Sequence, residues 1–182
     1  MKYSLNWIKD FCDVKLSVDE LVYRLLMLGF EVEGVEDAGG DTVLSVDVTP
    51  NRADCLSMQG LAREIAFASG TKFKPWELKL ATEPGDPGVE VVIEDADLCP
   101  RYMARAVTNV ANGHGPDSMG KRLEAVGLRP IDILVDATNY VQMEIGQPLH
   151  AFDRAKIRGG KIIARRAKAA EKMLNLIKPA GE

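Results

Sequence analysis

The 182-residue sequence has few aromatic residues, few cysteines and no long apolar run. Aromatic residues make up 6% of the chain, so we expect cores built mainly from aliphatic side chains. The three cysteines form no CxxC pair and show no metal-ligand spacing, which predicts reduced, buried thiols and no metal site. No stretch of about 18 apolar residues occurs, so the sequence predicts no membrane span.

Basic charge is also scarce, since the formal net charge is −4. This balance argues against binding nucleic acid through bulk positive charge. One segment departs from it: between Arg154 and Lys178, nine Lys and Arg residues stand against a single acid, Glu171. Either this segment is a phosphate-facing strip or it is an ordinary solvated surface, and the sequence leaves both readings open.

The first residues place Lys9 and Asp10 where a secretion signal needs an apolar core. Together with the reduced cysteines, this predicts a cytoplasmic protein.

The first 80 residues predict a small α+β domain. Ser17 and Glu20 have capping-box spacing before an apolar periodicity that ends at Gly29, which is typical of a helix. The predicted helices are Ser4–Phe11, Ser17–Leu28 and Ser57–Ala68, and the predicted strands are Phe30–Val35 and Thr42–Val48, joined by the tight connection Ala38–Asp41.

A linker rich in proline and glycine, Glu77–Gly88, separates that domain from a second one over residues 81–182. The second domain again mixes helices and strands, so the whole chain is predicted to be α+β. Its predicted strands are Val89–Glu94, Tyr102–Val110 and Lys161–Ala167, and its predicted helices are Asp117–Val126 and Asp132–Ile145.

Two shorter motifs carry charged side chains. In VTPNRADCLSMQGLAREIA, which begins at Val48, Asp54 is placed to cap the following helix, and Arg52 could bridge to a carboxylate or reach a phosphate. In CPRYMARAV, which begins at Cys99, Arg101 and Arg105 would share one face of a strand.

The segment Arg129–Asp153 is the densest in polar groups set among apolar residues. Such groups are costly to bury unless an internal hydrogen-bond network or a ligand satisfies them. No Ser/His/Asp order, HExxH pattern or phosphate-binding glycine loop accompanies the segment. His150 therefore stands either as a structural group or as part of a polar pocket formed by a helix and the loop after it. The polar members are Arg129, Thr138, Asn139, Gln147 and His150.

Read in order, VTPNRADC, CPRYMAR, the whole of Arg129–Asp153 and GGKIIARRA resemble the N-terminal part of the bacterial phenylalanyl-tRNA synthetase beta subunit. SLNWIKDF and LMLGFEVEGVE agree with the same family. The resemblance runs from Met1 to about Leu174, and it implies that residues 81–182 are a partial α/β domain of the tRNA-editing type.

The resemblance also implies partners and a site. Members of this family pair with an alpha subunit, which carries the aminoacylation site and uses ATP and magnesium, so no cofactor is expected on this chain itself. The beta subunit binds the phenylalanine tRNA and hydrolyses tyrosine wrongly esterified to it. By that resemblance His150 is the catalytic residue that places the ester and its attacking water, Thr138 and Asn139 line the pocket, and Arg129 holds the terminal nucleotide.

Departures from the family pattern limit this expectation. Gly39, Gly40 and Asp41 join two strands directly where most relatives carry an inserted OB-fold domain. The glycine-rich segment that supplies the family's tyrosine-reading glutamate is not in the sequence. We therefore expect part of a beta subunit with an incomplete editing site and with little or no catalysis by the chain alone.

Two alternatives stay open. One is a free-standing hydrolase of mischarged tRNA, and the other is a non-catalytic module that binds RNA or an alpha subunit through its basic segment. The last predicted strand, Lys161–Ala167, is expected to lack its usual neighbours, and an uncovered edge of this kind predicts self-association.

Overall fold

A computed structural model describes residues 1–75, 77 and 88–172. They form two compact units: unit 1 is Met1–Ala81 with Ala111–Ala151, and unit 2 is Thr82–Val110 with Phe152–Glu182. Both contain helices or strands in the mixture expected of an α+β protein, which confirms the predicted fold class. Most of the predicted linker, together with Lys178, lies outside the described residues.

The division into units differs in one respect from the predicted domains, 1–80 and 81–182. The first segment of unit 1 ends near the predicted boundary, but Ala111–Ala151 groups with unit 1 rather than with the rest of the second half. The assignment of two functional domains stays a prediction. None of the helices in the described ranges has the length and apolar character that crossing a membrane requires.

Unit 1 contains a three-stranded antiparallel sheet in the order β1-β3-β2. Its strands are β1 (Lys2–Ser4), β2 (Glu31–Asp37) and β3 (Thr42–Asp47). The connection between β2 and β3 is closed by a hydrogen bond from the Ala38 N–H to the Asp41 carbonyl oxygen, 2.8 Å long. Gly39 and Gly40 adopt φ values of 68° and 88°, which glycine reaches without strain. The predicted hairpin is therefore confirmed.

The described part of unit 1 contains five α-helices. Ser17 accepts a hydrogen bond from the Glu20 N–H and the Glu20 carboxylate accepts one from the Ser17 N–H, so the predicted capping box forms. Asp132 caps another helix by accepting from the N–H groups of Leu134 and Val135, each at 3.0 Å. The helices are α1 (Leu5–Ile8), α2 (Val18–Met27), α3 (Met58–Ser69), α4 (Asp117–Ala125) and α5 (Ile133–Ile145).

The core of unit 1 lies between its sheet and its helices. The core contains the expected aliphatic side chains and also four aromatic ones. The largest fully buried side chains include Trp7, Tyr3, Phe11 and Phe30. Burying these four aromatic side chains removes a large apolar area from water. Leu21, Leu25, Leu44, Met58, Leu61 and Ile65 complete the centre of this core.

Unit 2 contains a two-stranded parallel sheet formed by β4 (Glu90–Ile93) and β5 (Lys161–Ala164). The ladder is extended by a 2.8 Å hydrogen bond from the Glu94 N–H to the Ala164 carbonyl oxygen. Next to it, Arg166 forms an ion pair with Asp95. The pairing of β4 with β5 and the adjacent ion pair therefore hold the two segments of unit 2 together.

The predicted strand Tyr102–Val110 is wrong, since no ladder forms there among the described residues. Its side chains still alternate, with Met103 and Val107 exposed at 75% and 74% and their neighbours half-buried up to Ala106. The alternation gives the period of a strand, but a strand also needs a backbone partner, and no described segment supplies one. Arg101 and Arg105 are consequently exposed side chains of an irregular segment.

Candidate functional site

The turn that precedes α3 gathers a network of charged side chains around Arg52. Its guanidinium donates to both carboxylate oxygens of Asp54, at 3.1 and 3.2 Å, and lies 3.0 Å from Glu64 Oε1. The same group lies 4.9 Å from the centre of the Phe30 ring, a cation-π arrangement. The hydrogen bond from Arg52 lowers the pKa of Asp54. The predicted bridge from Arg52 to a carboxylate is thus confirmed.

The predicted cap by Asp54 is wrong. Ser57 caps α3 instead, because its hydroxyl accepts a 3.0 Å hydrogen bond from the Gly60 N–H. Asp54 faces the two arginines of the network, Arg52 and Arg63. A cap by Ser, Asp or Asn can be read from sequence only to within a few positions, since all three side chains accept equally well.

Three potential metal ligands also meet in this turn. One ligand atom from each of Asp54, Cys55 and Glu64 lies within 4.8 Å of the others. Burial raises the pKa of the Cys55 thiol to about 11, so that the group is protonated at neutral pH. The guanidinium of Arg52 already supplies the positive charge that balances the two carboxylates. The arrangement is therefore that of an ion-pair network that fixes the turn against α3.

Helix α5 carries two of the four predicted site residues, Thr138 and Asn139, and both are half-buried. The Thr138 hydroxyl donates a 2.7 Å hydrogen bond to the Val135 carbonyl oxygen, one turn earlier in the same helix. Arg129 lies before the helix and His150 after it, and both are exposed. All four belong to unit 1, so the structure assigns them to the same compact body.

The side chains of these four residues do not all point in one direction. Successive helix residues point about 100° apart, so Thr138 and Asn139 cannot face the same direction. Among the cavities of unit 1 are two of about 250 Å³, and none of the four residues lines either of these two. One lies between the start of α4 and Asp136, and the other lies beside Asp54, Arg63 and Ile145. The roles assigned to the four residues stay predictions.

Part of the polar density in Arg129–Asp153 is explained by an internal network. Asp136 is 2% exposed, and its carboxylate accepts a 2.8 Å hydrogen bond from the Ile131 N–H. This contact ties the start of α5 to the segment that precedes it. The buried carboxylate of Asp136 is therefore satisfied by an internal hydrogen bond and does not need a ligand.

The face of α5 that carries Tyr140 and Glu144 packs against α1. The rings of Tyr140 and Trp7 have centroids 4.4 Å apart, and the Trp7 indole N–H donates to Glu144 Oε1 at 3.3 Å. Arg122, from α4, donates to the Tyr140 hydroxyl at 2.6 Å and forms a 2.6 Å ion pair with Asp10. Burial, the largest influence, raises the pKa of Tyr140 despite that hydrogen bond.

Sequence reasoning placed Tyr140 and Glu144 on one helical face but missed this cluster. Their partner Trp7 lies more than 130 positions away in the chain, and spacing within one helix cannot reveal a contact at that separation. The only available signal was the buried aromatic side chain in α1, which needs a partner for its indole N–H.

Comparisons with known proteins place these features in a family context. The model of the B3/4 domain family matches residues 98–180. The chain is 43% identical to the phenylalanine–tRNA ligase beta subunit of Rhodopirellula baltica over 95% of its own length and 26% of that protein. It is 49% identical to the subunit of Geobacter metallireducens over 75% of its length and 17% of that protein. It is 46% identical to the subunit of Syntrophus aciditrophicus over 83% of its length and 19% of that protein. The chain thus spans about a quarter or less of the curated relatives it matches.

Proposed function

The chain belongs to the phenylalanine–tRNA ligase beta subunit family, and on this basis we propose that it acts as part of such a subunit in protein biosynthesis. It contributes to tRNA aminoacylation by contacting a synthetase alpha subunit and the phenylalanine tRNA in the cytoplasm. ATP and magnesium are used by the alpha subunit. The predicted editing residues line neither of two cavities of about 250 Å³ in unit 1, and we therefore expect no hydrolysis of tyrosyl-tRNA by the chain alone.

The observation that supports a scaffolding role is the attachment of α5 to the N-terminal helix α1. The Tyr140 ring packs against Trp7, and Arg122 of helix α4 donates a hydrogen bond to the Tyr140 hydroxyl. Two segments that are distant in sequence are thereby fixed as one body. A rigid body of this kind can present a constant surface to another subunit, which is what a scaffold requires.

The arrangement of the predicted editing residues supports the same conclusion. Hydrolysis of an aminoacyl ester needs a positioned water and donors aimed at the developing oxyanion. The Thr138 hydroxyl donates to a backbone carbonyl oxygen of its own helix, and the exposed His150 lines neither described cavity. Selective editing of tyrosine would also need a partner for the tyrosine hydroxyl.

Association with an alpha subunit tests this proposal directly. The purified chain would be mixed with the alpha subunit of the Rhodopirellula baltica enzyme and examined by sedimentation velocity. We expect a complex that sediments faster than either protein and dissociates on dilution. A folded chain that leaves the alpha subunit boundary unchanged at micromolar concentrations would contradict the proposal.

The same experiment with two variants tests whether the contact between α1 and α5 matters for binding. Trp7→Ala removes the ring on which Tyr140 rests, so it should weaken the complex by loosening the body formed by α1 and α5. Tyr23→Ala, at a position that is 60% exposed on α2, is the matched aromatic control and should keep the body intact. Equal weakening by both variants would show that the α1–α5 contact is not what the alpha subunit recognises.

A further inference from the structure

Unit 2 carries a group of exposed cations, and we propose that they bind the phosphate backbone of RNA. The basic strip is defined here as residues 154–172. The inference rests on the proposed function, because membership of a tRNA-ligase family is what makes RNA the expected polyanion. It goes further by assigning the contact to a particular surface of this chain.

The charge of the basic strip is opposite to that of the chain as a whole. Residues 154–172 include eight Lys and Arg residues and one acid, Glu171, whereas the complete chain has a net charge of −4. The potential around the strip is therefore positive within a Debye length, about 8–10 Å at physiological salt. A polyanion would be attracted to this surface and repelled by most of the remainder.

Internal ion pairs account for only some of these cations. Arg165 binds Glu171 through both carboxylate oxygens, at 2.9 and 2.7 Å. Arg166 pairs with Asp95, and Lys156 lies 3.9 Å from Asp153. Within the described ranges, five exposed cations of the strip form no ion pair: Arg154, Arg158, Lys161, Lys168 and Lys172.

Three of the five are brought together by local structure. Arg154 begins one 3₁₀ turn and Arg158 begins another, and the two turns contact each other. The second turn leads directly into β5, whose first residue is Lys161. On β5 the side chains of Lys161 and Ile163 are exposed while Ile162 is half-buried, so Lys161 projects from the sheet into solvent. Three cations thus lie within eight residues on two adjoining turns and a strand end.

The residues between the cations favour a phosphate backbone over a protein partner. Most of them are small: Ala155, Gly159, Gly160, Ala167, Ala169 and Ala170. A protein interface usually contains a buried centre of aromatic or large aliphatic side chains, and the strip offers few. Small residues let a sugar-phosphate chain approach closely, and the planar arginine group can bind a phosphate through two hydrogen bonds.

The test compares two variants of the full chain with equal loss of charge. The strip variant carries Arg154→Gln, Arg158→Gln and Lys161→Gln. The control carries Lys15→Gln, Arg24→Gln and Lys72→Gln, three exposed residues of unit 1 for which no ion pair occurs within the described ranges. Binding would be measured by fluorescence anisotropy of a labelled acceptor-stem RNA hairpin ending in CCA, between 50 and 200 mM KCl.

We expect the strip variant to bind the hairpin roughly tenfold or more weakly, and the slope of log affinity against log salt to fall by roughly 2–3, because three phosphate contacts no longer release counterions. The control should keep the wild-type affinity within about twofold. A second strip variant, Lys168→Gln with Lys172→Gln, should shift affinity in the same direction. Circular dichroism of each variant shows whether it is folded.

Several outcomes would overturn the inference. Equal losses in strip and control variants, with a folded chain that binds RNA, would place the contact elsewhere and leave the proposed function standing. Competition by polyglutamate at the same charge concentration as RNA would identify the strip as a surface for acidic protein. A folded wild-type chain that fails to bind the hairpin at 50 mM KCl would remove RNA binding from the proposed function as well, while its association with the alpha subunit would be judged separately.

Discussion

Unit 1 and unit 2 are stabilised in different ways. All fully buried side chains among the described residues belong to unit 1, and they surround Trp7 and Tyr3. Unit 2 depends instead on a two-stranded parallel sheet and on ion pairs such as Arg166–Asp95. Parallel strands are usually covered on both faces, and a sheet of two strands is marginal by itself. Unit 1 is thus stabilised by a buried core, whereas unit 2 is stabilised by backbone pairing and by ion pairs.

The difference also bears on self-association. An open strand edge is the feature from which self-association is predicted, and β4 and β5 have no further ladder partner among the described residues. Self-association therefore stays a prediction about unit 2, and it does not extend to the packed core of unit 1.

The largest expected effect on stability comes from the centre of unit 1. Trp7 is fully buried and contacts Tyr140, Arg122 and Glu144. Trp7→Ala should destabilise unit 1 by about 3–5 kcal/mol, the usual cost of removing a large buried aromatic side chain. Urea denaturation followed by circular dichroism measures this loss. If the exposed-site variant Tyr23→Ala lost as much, the core described for unit 1 would be wrong.

A smaller effect is expected where α3 approaches the preceding turn. A Cβ atom added at Gly60 would overlap the Asp54 carbonyl oxygen, and backbone atoms cannot easily move away. Gly60→Ala should therefore cost roughly 1–3 kcal/mol, as overpacking usually does. Gly113→Ala is the control, because open space surrounds that position. Unchanged stability of Gly60→Ala in the same denaturation assay would show that the turn is looser than described.

The reactivities of the three cysteine thiols provide a comparison of the two units that needs no mutation. Burial, the largest influence, raises the pKa values of Cys12 and Cys55 in unit 1 to about 11, so roughly a thousandth of each thiol is ionised at pH 8. Cys99 of unit 2 is only half-buried. Iodoacetamide should therefore label Cys99 first, with the other two reacting after unfolding, as peptide mass spectrometry would show. Rapid labelling of Cys55 in the folded chain would contradict its burial.

The smallest effect concerns one ion pair in unit 2. Hydrogen bonds from Arg165 and from the Lys168 N–H lower the pKa of Glu171 to about 2. Because the folded-state pKa is depressed, the stabilisation is fully present above the unfolded value of about 4.3 and is lost as pH falls through about 2. A side-chain NMR titration would measure it, and Arg165→Gln should return the pKa toward its ordinary value. A normal pKa in the wild-type chain would mean that the pair does not persist in solution.

Local signals in the sequence predicted much of unit 1. The capping box at Ser17 and the glycines that follow α3 and α5 mark backbone conformations set by a few adjacent residues. Local patterns do not reveal a strand or a side-chain contact that depends on a residue far away in the chain. The segment Tyr102–Val110 has the alternation of a strand without a backbone partner, and the contact between Trp7 and Glu144 joins the two ends of unit 1.

The candidate site was less predictable than the fold for the same reason. The density of polar residues singled out Arg129, Thr138, Asn139 and His150, and the resemblance supplied their roles. Neither signal shows which way each side chain points. The Thr138 hydroxyl bonds within its own helix, which no pattern of residue types reveals. Conversely, the network around Arg52 follows from charges that lie close together in the chain.

Deacylation assays distinguish a chain that supports a synthetase, as we propose, from a chain that is itself a hydrolase. Tyrosyl-tRNA and phenylalanyl-tRNA, both built on the phenylalanine tRNA, would be incubated with the purified chain and with its His150→Ala variant. We expect both esters to decay at the rate seen in buffer, with or without the substitution. Selective loss of tyrosine that disappears in His150→Ala would contradict this expectation and identify a free-standing editing enzyme.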